Sequence, residues 1–218
     1  SVGGDIHPDD FRLGPFHTPF PGMVRKAAVL AYRHITRDTE IEAELAEEIG
    51  RQPRPEAFDD DGAYMDALGE YTDALKETDH YREWYERTID PTLDVSREVG
   101  NWYTGSVHVA RVSGIKRLVE AGESAVGEKL LVGSYGSGAQ AEIHVETIQE
   151  NYREEIEALN IDEQLRSRYD LDFEEYEDVH DAHNFDEESA VEEFTAPDGE
   201  FVFDGWGRMG ERKYRYVE

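Results

Sequence analysis

The chain has no cysteine, little lysine and no long apolar run. Without cysteine it has no disulfide, no thiolate metal site and no thiol nucleophile of its own. Lysine occurs only at positions 26, 76, 116, 129 and 213, and 51 acidic residues outnumber 22 basic ones, for a formal charge of −29. No basic stripe is present, which argues against nucleic acid and anionic membrane surfaces as partners, because clustered Lys and Arg hold both. No stretch approaches the ~18 apolar residues of a membrane span. The start, Ser1-Val2-Gly3-Gly4-Asp5, lacks the charged-then-apolar pattern of a signal segment. A cytoplasmic protein is the expectation. An acidic surface with arginine preferred to lysine suits solubility in concentrated salt, where self-repulsion is screened. A merely acidic protein is the plainer alternative.

What is there is enough for one domain with a buried core: 218 residues, no internal repeat and no linker long enough to mark a second domain. Residues 1–218 are read as that domain. Phe11 to Phe16 reads as a short strand-like segment ending at His17, and Pro19 and Pro21 lead into a helix through Ile35. Residues 38–91 read as an acidic helical insert whose aromatics (Tyr64, Tyr71, Tyr81, Trp84, Tyr85) are packing groups, with Pro91 closing it. Leu93-Asp94-Val95 leads irregularly to Gly100-Asn101, which is read as a strand-to-helix boundary. A helix over 107–119 comes next, with Thr104 or Ser106 as cap and Gly122 as stop. Leu130 to Ser134 is the clearest buried strand, with Ala141 to Val145 as its hairpin partner. Residues 150–194 are again acidic and helical, and Phe201-Val202-Phe203 pairs with Tyr214-Arg215-Tyr216 as a terminal hairpin.

Three segments carry polar groups at turns or helix starts: Phe16-His17-Thr18-Pro19-Phe20, Gly100-Asn101-Trp102-Tyr103-Thr104 and Ser134-Tyr135-Gly136-Ser137-Gly138. His17 can donate a hydrogen bond to a carbonyl oxygen as a general acid, or be an ordinary strand-end histidine. Asn101 offers a donor and an acceptor, or simple turn chemistry. The Gly-rich stretch lets backbone approach a ligand, or turns a hairpin. It lacks the Lys-Ser/Thr of a phosphate loop and the Gly-x-Ser-x-Gly of a serine hydrolase. His180-Asp181-Ala182-His183 reads as a solvated helix face, so no metal is expected.

In order and flanks, these segments resemble the hydroxymethylglutaryl-CoA synthase family of the thiolase superfamily, in its C-terminal half. The likeness rests on Phe-His-Thr-Pro-Phe followed by Met23-Val24-Arg25-Lys26-Ala27, on Gly-Asn-x-Tyr-Thr, and on Ser-Tyr-Gly-Ser-Gly. It runs from about Asp9 to Ala141 and weakly beyond. The acidity is similar to that of halophilic archaeal members.

The resemblance implies an α/β, thiolase-like half with a mixed sheet and helices on both faces. It implies condensation of acetyl-CoA with acetoacetyl-CoA and water, giving hydroxymethylglutaryl-CoA and CoA in the mevalonate route to isoprenoids, with no cofactor beyond these CoA substrates. His17 would polarise the ketone and protonate the new alkoxide. Asn101, Ser134, Tyr103 and Tyr135 would hold the acyl part, and Lys26 with Arg25 the CoA. Gly22 stands where many members carry lysine. The family's cysteine nucleophile and glutamate base belong to an N-terminal half, which a partner chain or longer precursor would supply, in a homodimer of the complete enzyme. Alone, the chain is expected to be inactive. Other condensing enzymes of the superfamily, or a non-catalytic subunit of a thiolase complex, are the rival readings.

Overall fold

The structure is a computed structural model that describes residues 6–136, 140–181, 199, 201–206 and 212–217. The chain divides into two compact units, Ser1–Leu165 and Arg166–Glu218.

The first unit is organised around strand β1 (Lys129–Gly136). On one edge, residues 11–16 run parallel to it, with Leu13 opposite Leu130 and Phe16 opposite Gly133. The Arg12 N–H donates to the Lys129 carbonyl at 2.8 Å, and the Leu131 N–H to the Leu13 carbonyl at 2.9 Å. On the other edge, β2 (Gln140–Thr147) pairs antiparallel, with Leu131 opposite Val145 and Tyr135 opposite Ala141. The sheet is therefore mixed, as expected. The expected hairpin is present too.

The apolar run Leu130-Leu131-Val132 feeds both faces because alternate strand side chains point oppositely. Leu131 joins Phe16, Val24, Val29 and Trp84 on one face, while Leu130 and Val132 join Leu13, Val107, Leu118 and Tyr152 on the other. Helix α1 (Pro21–Ile35) lies on the first face. Pro21 suits its first turn, where the missing N–H costs nothing, and Val24, Ala28 and Tyr32 recur at helical spacing toward the core. Beside it are α2 (Glu40–Glu48), α3 (Asp61–Glu77) and α4 (Asp79–Trp84). Asp60 caps α3 by accepting from the Ala63 N–H at 3.0 Å, and Thr78 caps α4 by accepting from the Tyr81 N–H at 3.3 Å. Tyr71, Tyr81 and Trp84 are buried, as packing groups should be, and the Tyr32 ring lies 5.5 Å from Tyr81 and 5.0 Å from Trp84.

Two local expectations are corrected. Pro91 does not close the helical stretch: α4 continues through a π-helical turn, Tyr85–Ile89, and a tight turn, Asp90–Leu93, into α5 (Asp94–Val99). Pro91 is tolerated because it sits at the start of that tight turn. Asn101 thus comes after a helix, not a strand, and Gly100 at φ 74° makes the break. Helix α6 (Ser106–Glu120) takes no cap from Thr104 or Ser106. The tight turn Tyr103–Gly105 runs straight into it, leaving Gly105 helical at φ −67°, so no extended residue precedes the helix to aim a hydroxyl at its first amides. Gly122, at φ 70°, ends α6 as expected.

Helix α6 packs on the second face with α7 (Tyr152–Ala158), whose Tyr152 hydroxyl accepts from the Ala125 N–H and donates to the Glu123 carbonyl. A short helix, α8 (Ile161–Arg166), comes after it. The second unit contains α9 (Phe173–Asp181) and a hairpin of β3 (Phe201–Trp206) and β4 (Arg212–Tyr216), with Phe201 opposite Tyr216 and Phe203 opposite Tyr214. Among the described residues, no helix is long and apolar enough to cross a membrane. No group of three or more His, Cys, Asp or Glu among them could hold a metal ion. Ser137, Gly138 and His183 lie outside the described residues.

Candidate active site

His17 is positioned by the sheet rather than by a loop. Its N–H donates to the Gly133 carbonyl at 2.7 Å, and the Gly133 N–H donates to the Pro15 carbonyl at 3.1 Å. The imidazole is half-buried, 6.0 Å from the exposed ring of Tyr135. Its Nδ1 lies 2.8 Å from the Ser106 hydroxyl. That hydroxyl is buried and also accepts from the Thr18 N–H at 2.9 Å, while Thr18 Oγ1 donates to the Phe16 carbonyl at 2.7 Å. Burial lowers the His17 pKa from the ordinary histidine value, so the ring is predominantly neutral at pH 7.

Neither Ser106 nor Thr18 was legible as a site residue. A hydroxyl at a helix start reads as a cap, and nothing local indicates that its partner is 89 residues away.

The second segment forms a tight turn. Asn101 Oδ1 accepts from the Tyr103 N–H at 2.7 Å, holding Tyr103 at φ 50°, a left-handed conformation uncommon for so large a residue. The Asn101 amide nitrogen has no hydrogen-bond partner among the described residues, and Trp102 and Tyr103 are exposed. The turn Tyr103–Gly105 packs against β1, bringing it near the strand that carries Ser134 and Tyr135.

Strand alternation puts the half-buried Ser134 on the face opposite Tyr135, whose ring is the one in contact range of the imidazole by ring geometry. Arg25 and Lys26 are exposed on the second turn of α1. Burial raises the Tyr85 hydroxyl pKa, and Arg25 lies close enough to pull it back down, which links that guanidinium to the helical layer. Chemically, the candidate site offers an imidazole with the Tyr135 phenol ring 6.0 Å away, and an exposed Asn101 carboxamide on the turn before α6. It can donate hydrogen bonds to oxygen and exchange a proton, but it has no cysteine nucleophile.

A family model described as the C-terminal part of hydroxymethylglutaryl-coenzyme A synthase matches residues 4–199. The chain belongs to the hydroxymethylglutaryl-CoA synthase family. It is 59% identical to the hydroxymethylglutaryl-CoA synthase of Haloferax volcanii over all 218 residues. That alignment covers 100% of this chain and 49% of the relative, so the chain spans about half the length of the curated family member it matches.

Solved structures agree on the fold. MvaS, in complex with 3-hydroxy-3-methylglutaryl coenzyme A, superposes with a TM-score of 0.65 at 21% identity, over 99% of this chain and 44% of that one. PksG, an HMG-CoA synthase from Bacillus subtilis, gives 0.66 at 20% identity, over 100% and 46%. These neighbours fix the architecture as the thiolase-like one of HMG-CoA synthases.

Proposed function

We propose that this chain forms the hydrogen-bonding side of a hydroxymethylglutaryl-CoA synthase site, joining acetyl-CoA to acetoacetyl-CoA with water in the mevalonate route. The observation that carries the reading is a half-buried, neutral His17 fixed to β1 in a chain that matches the family's C-terminal part. A neutral imidazole is suited to donating to the ketone of the second substrate and giving its proton to the alkoxide as charge develops there. Asn101, Tyr103, Ser134 and Tyr135 hold the acyl portion in this reading, and Lys26 with Arg25 meets the anionic CoA. Residues 1–218 act as one functional half, with 38–91 as an insert.

The carbon nucleophile is made elsewhere. A cysteine and a glutamate from the other half of the synthase form the acetyl-enzyme and its carbanion, and two complete copies make a homodimer in the cytoplasm. High salt is the habitat the charge favours.

The test is reconstitution. The 218-residue chain alone should show no condensation, and adding the N-terminal half should restore it. In the restored enzyme, His17→Ala should cut condensation by about a hundredfold or more, leaving acetylation of the partner cysteine largely intact. Turnover by the chain alone, or equal loss of both steps, would refute the division of labour.

A further inference from the structure

We infer that Ser106 is a positioning residue that fixes the tautomer of His17, locking the proton on Nε2. The inference deepens the proposed role of His17 and rests on it for its consequence, though not for its geometry.

Counting protons decides the tautomer. Ser106 Oγ carries one hydrogen and two lone pairs. The Thr18 N–H donates to it at 2.9 Å, which takes one lone pair and fixes the oxygen in place. The hydroxyl hydrogen then needs an acceptor, since the side chain is 1% exposed and water does not serve it. Among the described residues, its remaining hydrogen-bond partner is His17 Nδ1, at 2.8 Å.

If Nδ1 carried the proton instead, Ser106 would accept twice and bury its own hydrogen unpaired. With Nδ1 accepting, all three groups are satisfied. The neutral ring must then carry its hydrogen on Nε2, the nitrogen left free to meet a ligand.

The same burial that makes the hydroxyl a reliable donor rules it out as a nucleophile, although a serine beside a histidine invites that reading. Thr18 completes the device. Its N–H orients Ser106, and its own hydroxyl is bound to the Phe16 carbonyl, so it does not compete for the ring. The chain thus fixes a donor with two residues next to each other in sequence and a third at the start of α6. For the reaction, this means a hydrogen-bond donor that is present before substrate arrives rather than selected from two forms.

Long-range proton–nitrogen correlation spectra of the 15N-labelled full chain, above the titration of His17, read the tautomer directly. His17→Gln identifies the relevant signals. Wild type should show a protonated Nε2 and an unprotonated, hydrogen-bonded Nδ1. Ser106→Ala should give a mixture of both tautomers, and Ser106→Thr should keep the wild-type pattern.

In the reconstituted synthase, Ser106→Ala should lower kcat by about tenfold or more with KM little changed, and Ser106→Thr should retain most of it. A protonated Nδ1 in wild type overturns the inference, as does an unchanged tautomer in a folded Ser106→Ala. If that variant does not fold, the wild-type spectrum decides alone. Failure of reconstitution would sink the proposed function while leaving the tautomer result standing.

Discussion

The backbone N–H of His17 donates to the carbonyl of Gly133 at 2.7 Å, so the backbone that carries the imidazole is tied to the middle of β1. The Phe16 ring occupies the space a side chain at 133 would need, with a Cβ there falling 2.8 Å from a ring carbon. Gly133→Ala should therefore push Phe16 outward and drag His17 with it. The expected loss is about 1–3 kcal/mol in urea unfolding, with a shifted His17 ring resonance. A variant of wild-type stability with an unmoved resonance would contradict the coupling.

Gly114 makes a similar contact on the other face. A Cβ there would lie 2.9 Å from Leu13 Cδ1 and 3.1 Å from Thr92 Cγ2. Gly114→Ala should cost roughly 1–3 kcal/mol. Shortening Leu13 to Ala in the same chain should make the pair less damaging than the sum of the single changes, measured as a double-mutant cycle.

His17 sets a pH dependence whose direction is dictated by its burial. Its folded-state pKa lies below the value of about 6.5 expected in the unfolded chain. Between those values the unfolded chain binds the proton and the folded chain does not. This contribution is therefore complete above about pH 6.5 and is lost as pH falls toward the folded value. Comparing unfolding of wild type and His17→Gln across that window should show a steeper acid loss in wild type, and equal slopes would mean that the ring is not desolvated.

The formal charge of −29 predicts a strong response to salt. Screening shortens from about 10 Å at 0.1 M to about 3 Å at 1 M, so repulsion among the acidic residues should fade over that range. The urea midpoint should rise steadily in potassium chloride. A flat response would show that local ion pairs, such as Arg54 with Glu42 and Lys116 with Asp162, already offset the excess.

Under the proposed function, Asn101 has two separable duties. Its Oδ1 holds the Tyr103 turn, and its amide nitrogen is the donor left over. Asn101→Asp should keep the turn, because a carboxylate accepts the same bond, and lose the donor. Asn101→Ala should lose both, at about 1 kcal/mol or less in stability. Near-wild-type stability with impaired condensation in the Asp variant would separate the duties.

Much of the fold was legible because local chemistry and long-range packing agree. Leu130-Leu131-Val132 is apolar on both faces because both faces are buried, and Pro21 and Gly122 mark ends that the structure keeps. Legibility failed where a short helix depends on its neighbours. Residues 94–99 offer only Val95 and Val99 at helical spacing, too few to announce α5, which is held by contacts such as the Ser113 hydroxyl accepting from the Val95 N–H at 3.2 Å.

The candidate site was legible by residue type, not by its internal bonds. His17, Asn101 and Tyr135 stand out by residue type in motifs that resemble those of a known family. The Ser106 hydroxyl does not, because its role depends on a partner brought near only by the parallel alignment of residues 11–16 with β1.

The π-helical turn at Tyr85–Ile89 reaches the site through the backbone. The carbonyl of Thr88 accepts from the N–H of Gly14 at 2.7 Å, three residues before the imidazole. The acidic helical stretch is thus sewn by this turn to the strand-like segment that leads to His17. It cannot be trimmed away as ornament: a deletion or a slipped turn there would be felt as a change of pitch in the backbone leading to His17.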